Sequence, residues 1–374
     1  MSLQIEPVRN KSSLREFIRL PWQIYRGDPN WVPPLLIEQR FLFNKAKHPF
    51  YEHGDVQPFL VRRNGRAVGR IAAIVNRAHN EFHNDTVGFF GFFESVDDDE
   101  TAQALLRTAE DFVRARGLTV LRGPMNFSTN EECGLLYEGF DRPPVVMMTY
   151  NPRYYIRLLE DAGFQKAKDL LAYQMTRPDV SERLCRMGAA LEKRTHLKIR
   201  QINMKDFWGD VWRVRDIYNK AWENNWGFVP MTEAEFHKLA KDLKLIIDPS
   251  LVWFAENSDG QPVGFSLALP DINQALAKVN GRLFPFGMFK LLRCKKHIDG
   301  VRVLAMGVIP EYRRRGVDAV FYWRTYEEGV KKGHTWGEFS WILEDNEPMK
   351  EAATMIGAKP YKTYRIYERL MELQ

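Results

Sequence analysis

The most informative stretch of the chain is Gly307-Val-Ile-Pro-Glu-Tyr-Arg-Arg-Arg-Gly-Val-Asp-Ala319. The apolar run before it, residues 301–308, predicts a strand, and residues 317–332 after it predict a helix that is capped by Gly333. Free amides at a helix N-terminus and the helix dipole favour an anion, and three consecutive arginines add positive charge. The stretch therefore predicts a phosphate-binding turn, although a plain basic surface turn would have the same spacing.

The composition limits the class of protein. The 374 residues are 45% hydrophobic and 27% charged, which is too apolar for a disordered chain. There is no run of about 18 apolar residues, and the first residues lack a signal-peptide pattern, so we expect a cytoplasmic protein. The three cysteines are isolated from one another, and we expect no metal site. The length suggests two domains.

The net charge gives limited information about the kind of partner that the protein binds. With 54 Lys and Arg against 48 Asp and Glu, the excess is +6. That excess fits an anionic ligand or an anionic membrane surface. Because no motif of a nucleic-acid-binding fold is present, we expect no nucleic acid partner.

The two halves of the chain share one layout. Hairpin turns are predicted at residues 64–65 and 259–260, each between β-rich runs. Each hairpin leads to an apolar strand, a helix that ends on glycine, another strand, and a short helix that an asparagine opens (Asn151 and Asn346). This order predicts a divergent tandem repeat of one α+β unit.

The repeat predicts the domain boundaries. We expect an N-terminal domain of residues 1–176, a linker helix over 177–195 and a C-terminal domain of residues 196–374. The fold class is α+β (α/β), and each domain is a mixed twisted sheet flanked by helices. In the first copy, the corresponding turn reads Asp97-Asp-Asp-Glu100. These acids suit a helix N-terminus and would repel a pyrophosphate.

The order strand, Val-x-Pro-x-x-Arg-x-x-Gly, helix, strand, Asn, helix and strand resembles the GCN5-related N-acetyltransferase (GNAT) superfamily. The resemblance implies that the basic turn holds the pyrophosphate of coenzyme A, and that the strand before it contacts the thioester of acyl-CoA. The residues so assigned are Arg313, Arg314, Arg315, Gly316, Val317 and Ala319 for pyrophosphate, Met306, Gly307 and Val308 for the thioester oxyanion, and Asn346 for pantetheine. The family usually has Gly or Ala where this chain has Asp318, so we expect that carboxylate to point away from the phosphates.

A closer resemblance is to the bacterial ceramide synthase-like (YghO-like) group of tandem GNAT proteins. The stretches that carry it are Asp28-Pro-Asn-Trp-Val-Pro-Pro-Leu35, Gly69-Arg-Ile-Ala-Ala73, Gly123-Pro-Met-Asn-Phe-Ser-Thr-Asn130, Asn224-Asn-Trp-Gly-Phe-Val-Pro230, Gly281-Arg-Leu-Phe-Pro-Phe-Gly287 and Arg315-Gly-Val-Asp-Ala319. They extend over nearly the whole chain. The resemblance implies N-acylation of an amine, such as a sphingoid base, by a long-chain acyl-CoA.

Acyl transfer to an amine requires a base, a stabilised oxyanion and a proton for the departing thiolate. Glu338 lies on the predicted strand 336–343 and is one candidate base. Glu223 is the other, because it precedes a segment that borders the acceptor site in GNAT proteins. The acceptor-binding residues implied there are Asn224, Asn225 and Trp226. The family's usual tyrosine acid is replaced by Ala353, so no acid is assigned.

Residues 281–297 form an insertion in which apolar and aromatic residues precede a basic cluster. This pattern is typical of an interfacial segment, and it predicts peripheral contact with the inner face of a membrane or a lid over the site. A helical insertion that packs on the other domain would show the same pattern.

The leading hypothesis is an acyl-CoA-dependent N-acyltransferase that binds its amine in a cleft between the domains. A Fem-type aminoacyl transferase is an alternative within enzymes. A catalytically inactive acyl-CoA-binding or scaffold protein is the alternative of another class, because of Ala353 and Asp318.

Overall fold

The computed structural model describes residues 3–177, 180 and 182–371, without the side chains of 182–185 and 187. The described chain forms two compact units. Unit 1 contains the residues up to Leu170, Leu276–Leu291 and those from Lys362 onward, and unit 2 contains Leu171–Ala275 and Leu292–Tyr361.

The elements of the first half of the chain are β1 (Leu3–Pro7), α1 (Lys11–Arg19), α2 (Pro21–Ile24), α3 (Leu36–Leu42), β2 (Gly54–Arg63), β3 (Arg66–Asn76), α4 (Arg77–His83), β4 (Val87–Ser95), α5 (Asp99–Arg114), β5 (Val120–Gly123), β6 (Leu135–Glu138), α6 (Tyr154–Asp161) and β7 (Gln165–Thr176). Those of the second half are α7 (Glu182–Thr195), β8 (Lys198–Gln201), α8 (Phe207–Trp222), α9 (Glu233–Leu243), β9 (Val252–Glu256), β10 (Pro262–Pro270), α10 (Asn273–Leu276), α11 (Gly287–Lys295), β11 (Gly300–Val308), α12 (Val317–Lys331), β12 (Trp336–Leu343), α13 (Glu347–Met355) and β13 (Lys359–Leu370).

Unit 1 is a mixed sheet with the strand order β1-β2-β3-β4-β5-β13, and β6 pairs with β13. The pair β4–β5 is parallel and the other pairs are antiparallel. The core lies between this sheet and α5, where Leu105, Leu106 and Phe90 are buried. The positive φ angles of Asn64 and Gly65 confirm the tight turn predicted between β2 and β3.

Unit 2 repeats this architecture with the strand order β7-β12-β11-β10-β9-β8. The pair β11–β12 is parallel, and the pairs from β8 to β11 are antiparallel. Helix α12 packs on the sheet through buried residues such as Val320 and Phe321. The predicted α+β fold class is confirmed, with a mixed sheet and flanking helices in each unit.

One predicted helix start is wrong. The sequence predicts that Asn151 opens α6, but the N-cap residue of α6 is Arg153. The side-chain amide of Asn151 instead accepts from Leu136 N at 2.7 Å and donates to Leu136 O at 3.2 Å. The side chain of Asn151 thus bonds to the backbone of β6 and does not cap α6. A local sequence pattern does not distinguish these two uses of an asparagine.

The terminal strand β13 belongs mainly to unit 1 although it ends the chain. Its residues 367–370 pair with 123–120 of β5. Helix α7, within the predicted linker, packs in unit 2, where the carboxylate of Glu192 pairs with Arg324 at 2.8 Å. The division at 1–176, 177–195 and 196–374 concerns the repeat in the sequence and stays a prediction, because the compact units are built from separated segments.

Among the described residues, no helix is long and apolar enough to cross a membrane.

Candidate functional site

Strand β11 of unit 2 is paired with β12 over only part of its length. The parallel register runs from Gly300↔Trp336 to Val303↔Phe339. At the same point the register with β10 shifts, because Leu267 faces Ala305 while Ala268 faces Val303. Leu304 is therefore the extra residue of a β-bulge. Residues 304–308, which include the predicted Met306, Gly307 and Val308, have an edge with no strand partner among the described residues.

The last residue of α8, Trp222, packs directly on this half of β11. A Cβ on Gly307 would lie 2.3 Å from the Trp222 ring, so only glycine permits the contact. The ring also packs on Phe265, with 5.9 Å between the ring centroids. The C-terminal end of α8 therefore packs over the unpaired half of β11. Trp222 was not predicted as a site residue, and its position directly before Glu223 was the available signal.

The basic turn ends in a helix N-terminus that presents free donors. Arg314 and Gly316 have φ angles of 61° and 77°, and Gly316 is the N-cap residue of α12. The first bond of the helix is Val320 N to Gly316 O at 3.1 Å, so the amides of residues 317–319 precede the hydrogen-bonded ladder. No side chain caps them in the part of the chain that the structure describes. This arrangement fits a bound anion.

The three arginines of the turn have different surroundings. The Arg313 guanidinium donates to Val308 O at 3.2 Å and to Ala221 O at 2.9 Å, so it ties the turn to β11 and α8. The Arg315 guanidinium lies 4.6 Å from the ring centroid of Tyr312. All three residues are exposed. Arg314 and Arg315 are thus the better placed to meet a phosphate.

Asp318 lies one turn before Tyr322 on α12, and residues four apart share one side of a helix. Burial, followed by the negative charge of Asp318, raises the pKa of the Tyr322 phenol. Tyr322 packs on Phe339 in the core. The expectation that the Asp318 carboxylate points away from the phosphates stays a prediction.

Asn346 is the N-cap residue of α13. Its side-chain oxygen accepts from Met349 N at 3.3 Å. The cap uses the oxygen, so the NH₂ group is the part of this side chain that could donate to a pantetheine carbonyl.

Glu338 is fully buried, with 0% exposure. Its carboxylate accepts hydrogen bonds from the hydroxyl groups of Ser340 and Tyr361. The buried Arg302, which faces Glu338 in the register, donates to Ser340 Oγ at 2.9 Å and to Ser340 O at 3.1 Å. Tyr361 is the half-buried member of this cluster. Because its side chain is fully buried, the Glu338 carboxylate does not meet the solvent directly.

Arg302 and Tyr361 were not predicted as site residues. An arginine inside the apolar run of β11 was a usable signal, because a buried cation needs partners. Past Ser340 the side chains of β12 do not alternate strictly between the two faces of the sheet, since Ile342 packs in the same core cluster as Phe339.

Glu223 follows α8 as its C-cap residue and is exposed, as is Asn224. The loop turns back at once, because Asn225 N donates to Trp222 O at 2.8 Å. Since Trp222 packs on Gly307, the chain brings Glu223 and the predicted acceptor segment 224–226 toward the unpaired half of β11. Glu338 lies instead beside the paired half.

In unit 1 the corresponding edge is filled by the chain itself. Strands β4 and β5 also pair in parallel for three residues and then separate. Met125 N donates to Phe90 O at 2.8 Å, and the side-chain oxygen of Asn126 accepts from Phe92 N at 2.8 Å. A Cβ on Gly91 would lie 1.9 Å from Met125 O. Residues 125–126 thus occupy the edge that is open in unit 2.

The acidic residues of unit 1 cap a helix. Asp98 is the N-cap residue of α5 and accepts from Thr101 N at 2.8 Å. Arg157 pairs with both Asp97 and Asp99. At the place where unit 2 has its basic turn, the acidic residues of unit 1 therefore cap α5 and form ion pairs with Arg157.

Within residues 3–177, 180 and 182–371, no three His, Cys, Asp or Glu side chains are grouped to hold a metal ion.

Comparisons with known proteins agree with this geometry. No protein-family model matches the chain. The chain is 39% identical over 380 residues to a protein of Caulobacter vibrioides named bacterial ceramide synthase, covering 99% of this chain and 98% of that protein. It is 38% identical over 372 residues to protein YghO of Escherichia coli, covering 96% and 93%.

Solved structures share the fold. A tandem GNAT protein from the clavulanic acid biosynthesis pathway has a TM-score of 0.59 at 10% identity, covering 99% of this chain and 98% of its own. A GCN5-related N-acetyltransferase from Sphaerobacter thermophilus has a TM-score of 0.54 at 12% identity, covering 98% and 95%.

Proposed function

The chain belongs to the bacterial ceramide synthase-like (YghO-like) family of tandem GNAT proteins and is an acyltransferase, and from this premise we propose that it transfers a long-chain acyl group from acyl-CoA to a primary amine. The observation that carries the proposal is the combination, in unit 2, of a half-unpaired β11 and a helix N-terminus with free amides and exposed arginines.

Each part of this site suits one part of acyl-CoA. The amides of residues 317–319, with Arg314 and Arg315, would hold the pyrophosphate. Arg313 would fix the turn through its two carbonyl partners. The unpaired edge at residues 306–308 would donate to the thioester oxygen and stabilise the oxyanion, and Asn346 would meet pantetheine.

The reaction forms one C–N bond and breaks the C–S bond of the thioester. The amine nitrogen attacks the carbonyl carbon, loses one proton and becomes an amide, while the thiolate of CoA takes up one proton. Glu223, exposed beside Trp222, is the candidate base that can meet the amine directly. Glu338 would act through the Tyr361 hydroxyl that it accepts from.

We propose a sphingoid base or another amino lipid as the acceptor, because the Caulobacter vibrioides relative is named a ceramide synthase. Asn224, Asn225 and Trp226 would contact this acceptor. A membrane would supply such a substrate, and residues 281–297 are the segment proposed for that peripheral contact.

Thermal unfolding in the presence of candidate substrates tests the proposal. We expect palmitoyl-CoA to raise the melting temperature more than acetyl-CoA or free CoA does, because the ligand binds only the folded chain. Palmitoyl-CoA with sphinganine should then yield an N-acyl product by mass spectrometry. No shift with any CoA species would refute the proposal, and a shift with charged tRNA alone would favour the Fem-type alternative.

An inactive acyl-CoA-binding protein is the second candidate. Ala353 is fully buried at the position where the family's tyrosine acid is expected, so α13 supplies no acid there. Stabilisation by palmitoyl-CoA without turnover across a panel of amines would favour this second function.

A further inference from the structure

Large apolar side chains are exposed together on α11 and the residues that lead into it. Phe284, Phe286 and Phe289 are 78%, 71% and 73% exposed, and Leu292 is 57% exposed. The described chain therefore does not cover them. Exposed apolar groups at this density mark an interaction surface rather than ordinary surface scatter.

The exposed side of α11 has the pattern of an interfacial helix. At 3.6 residues per turn, Met288, Leu292 and Phe289 fall within an arc of about 100°. Arg293 and Lys295 lie on either side of that arc. Long cationic side chains beside an apolar face can place their charges at lipid phosphates while their stems remain in the apolar region.

The charge of this segment has one sign. Residues 272–298 contain no Asp or Glu, and their six cations are Lys278, Arg282, Lys290, Arg293, Lys295 and Lys296. None of these six takes part in an ion pair in the part of the chain that the structure describes. Such a cluster matches an anionic surface.

The base of the segment is fixed within unit 1. Trp22 Nε1 donates to Asn280 Oδ1 at 2.8 Å, and Leu36 N donates to Gly281 O at 3.0 Å. A Cβ on Gly281 would lie 2.6 Å from the Trp22 ring, so the chain there is closely packed. Contacts at the base thus hold the exposed part in place, which lowers the entropy cost of using it.

We propose that residues 284–296, the docking segment, bind the surface of an anionic phospholipid bilayer. The phenylalanines and Leu292 enter the headgroup boundary, and the cations that flank them contact lipid phosphates. This inference rests on the proposed function for its purpose, since an amino-lipid acceptor resides in such a bilayer. The binding itself needs neither acyl-CoA nor turnover.

Vesicle co-sedimentation of the full chain tests the docking segment. Vesicles of phosphatidylcholine with about 30% phosphatidylglycerol should bind the protein, and vesicles of phosphatidylcholine alone should bind it about tenfold less, because each cation near an anionic surface adds attraction. The variant Phe286→Ser/Phe289→Ser should lose about tenfold in binding to the anionic vesicles. Arg293→Gln/Lys295→Gln should also lose binding, and added salt should weaken the binding of the wild type.

Matched changes elsewhere provide the controls. Leu245→Ser removes an apolar side chain that is 77% exposed, and Lys205→Gln/Lys241→Gln removes two exposed cations. Both should bind vesicles as the wild type does. Equal losses in controls and docking variants would overturn the proposal, as would a change of oligomeric state in Phe286→Ser/Phe289→Ser with vesicle binding intact. If the protein does not bind vesicles but palmitoyl-CoA still raises its melting temperature, the docking segment is rejected and the acyltransferase proposal stands.

Discussion

Arg314 and Arg315 are exposed at the N-terminus of α12, and among the described residues neither bonds to a backbone carbonyl as Arg313 does. Replacing both with glutamine should weaken the binding of palmitoyl-CoA by about tenfold or more, because two charge-assisted contacts to pyrophosphate are lost. Isothermal titration calorimetry measures the affinity.

The control is Arg15→Gln/Arg19→Gln, which removes two exposed arginines from α1. It should leave the affinity unchanged. If Arg314→Gln/Arg315→Gln binds palmitoyl-CoA as the wild type does, the pyrophosphate does not lie at this turn.

Asn126 in unit 1 stands where unit 2 has an open strand edge. Asn126→Ala removes the acceptor of the Phe92 amide and the donor to Glu132, so the free energy of unfolding should fall by about 1–2 kcal/mol. Urea denaturation measures this loss, and the stabilisation by palmitoyl-CoA should persist because it arises in unit 2. An unchanged free energy would mean that water replaces the amide at no cost.

For single residues, the sequence predicts those roles that depend on neighbouring positions in the chain. Gly316 has the positive φ angle that a glycine before a helix suggests, and Asn346 caps α13. The two carbonyl bonds of Arg313 were not predictable, because one partner is Ala221, 92 residues away. The same holds for Tyr361 and Glu338, which are joined by tertiary packing.

At the scale of elements, α4 carries a buried histidine. Burial, followed by the charge of His83, lowers the pKa of His79 to about 4, whereas an unfolded histidine titrates near 6.5. The unfolded chain therefore takes up this proton first. The contribution of His79 to stability is complete above pH 6.5 and is lost as the pH falls toward 4, with a slope of about 1.4 kcal/mol per pH unit.

His79→Leu should make the free energy of unfolding fall less steeply between pH 7 and pH 5, as measured by urea denaturation at each pH. His196→Asn, at an exposed position, should keep the wild-type slope. Equal slopes in wild type and His79→Leu would show that His79 can be protonated in the folded chain.

Elements with a strong local pattern were well predicted. Strand β12 has the bounds that were expected, and α12 ends one residue before the expected end. The bulge at Leu304 was not predictable from the apolar run 301–308, because it depends on the registers with two neighbouring strands. That bulge marks where the unpaired edge begins. This backbone feature of the site is therefore set by the pairing of β11 with its neighbouring strands and not by the sequence pattern of β11.

The compact units of the molecule are built from separated segments of the chain. The repeat in the sequence predicts two contiguous halves, yet unit 1 takes its last strand from residues 362–370. Tyr367 on this strand is 1% exposed and belongs to the core of unit 1. Periodicity assigns a strand to its nearest neighbours in sequence, so it does not reveal this exchange.

The exchange predicts how fragments behave. Residues 1–176 alone leave β5 and β6 without the partner strand β13, and unpaired edges favour aggregation. Joining residues 1–170 to 362–374 through a flexible Gly-Ser linker restores the pairing and the Tyr367 side chain. The joined protein should be more stable than fragment 1–176 by about 3 kcal/mol or more, since a large aromatic core residue is regained. Urea denaturation and sedimentation of the two proteins measure the difference.

The same joined protein with Tyr364→Ser/Tyr367→Ser is the matched control and should gain little over the fragment, because both tyrosines are buried in the complete chain. If fragment 1–176 is as stable and monomeric as the joined protein, the terminal strand is dispensable and the contiguous halves predicted from the repeat are the units that fold.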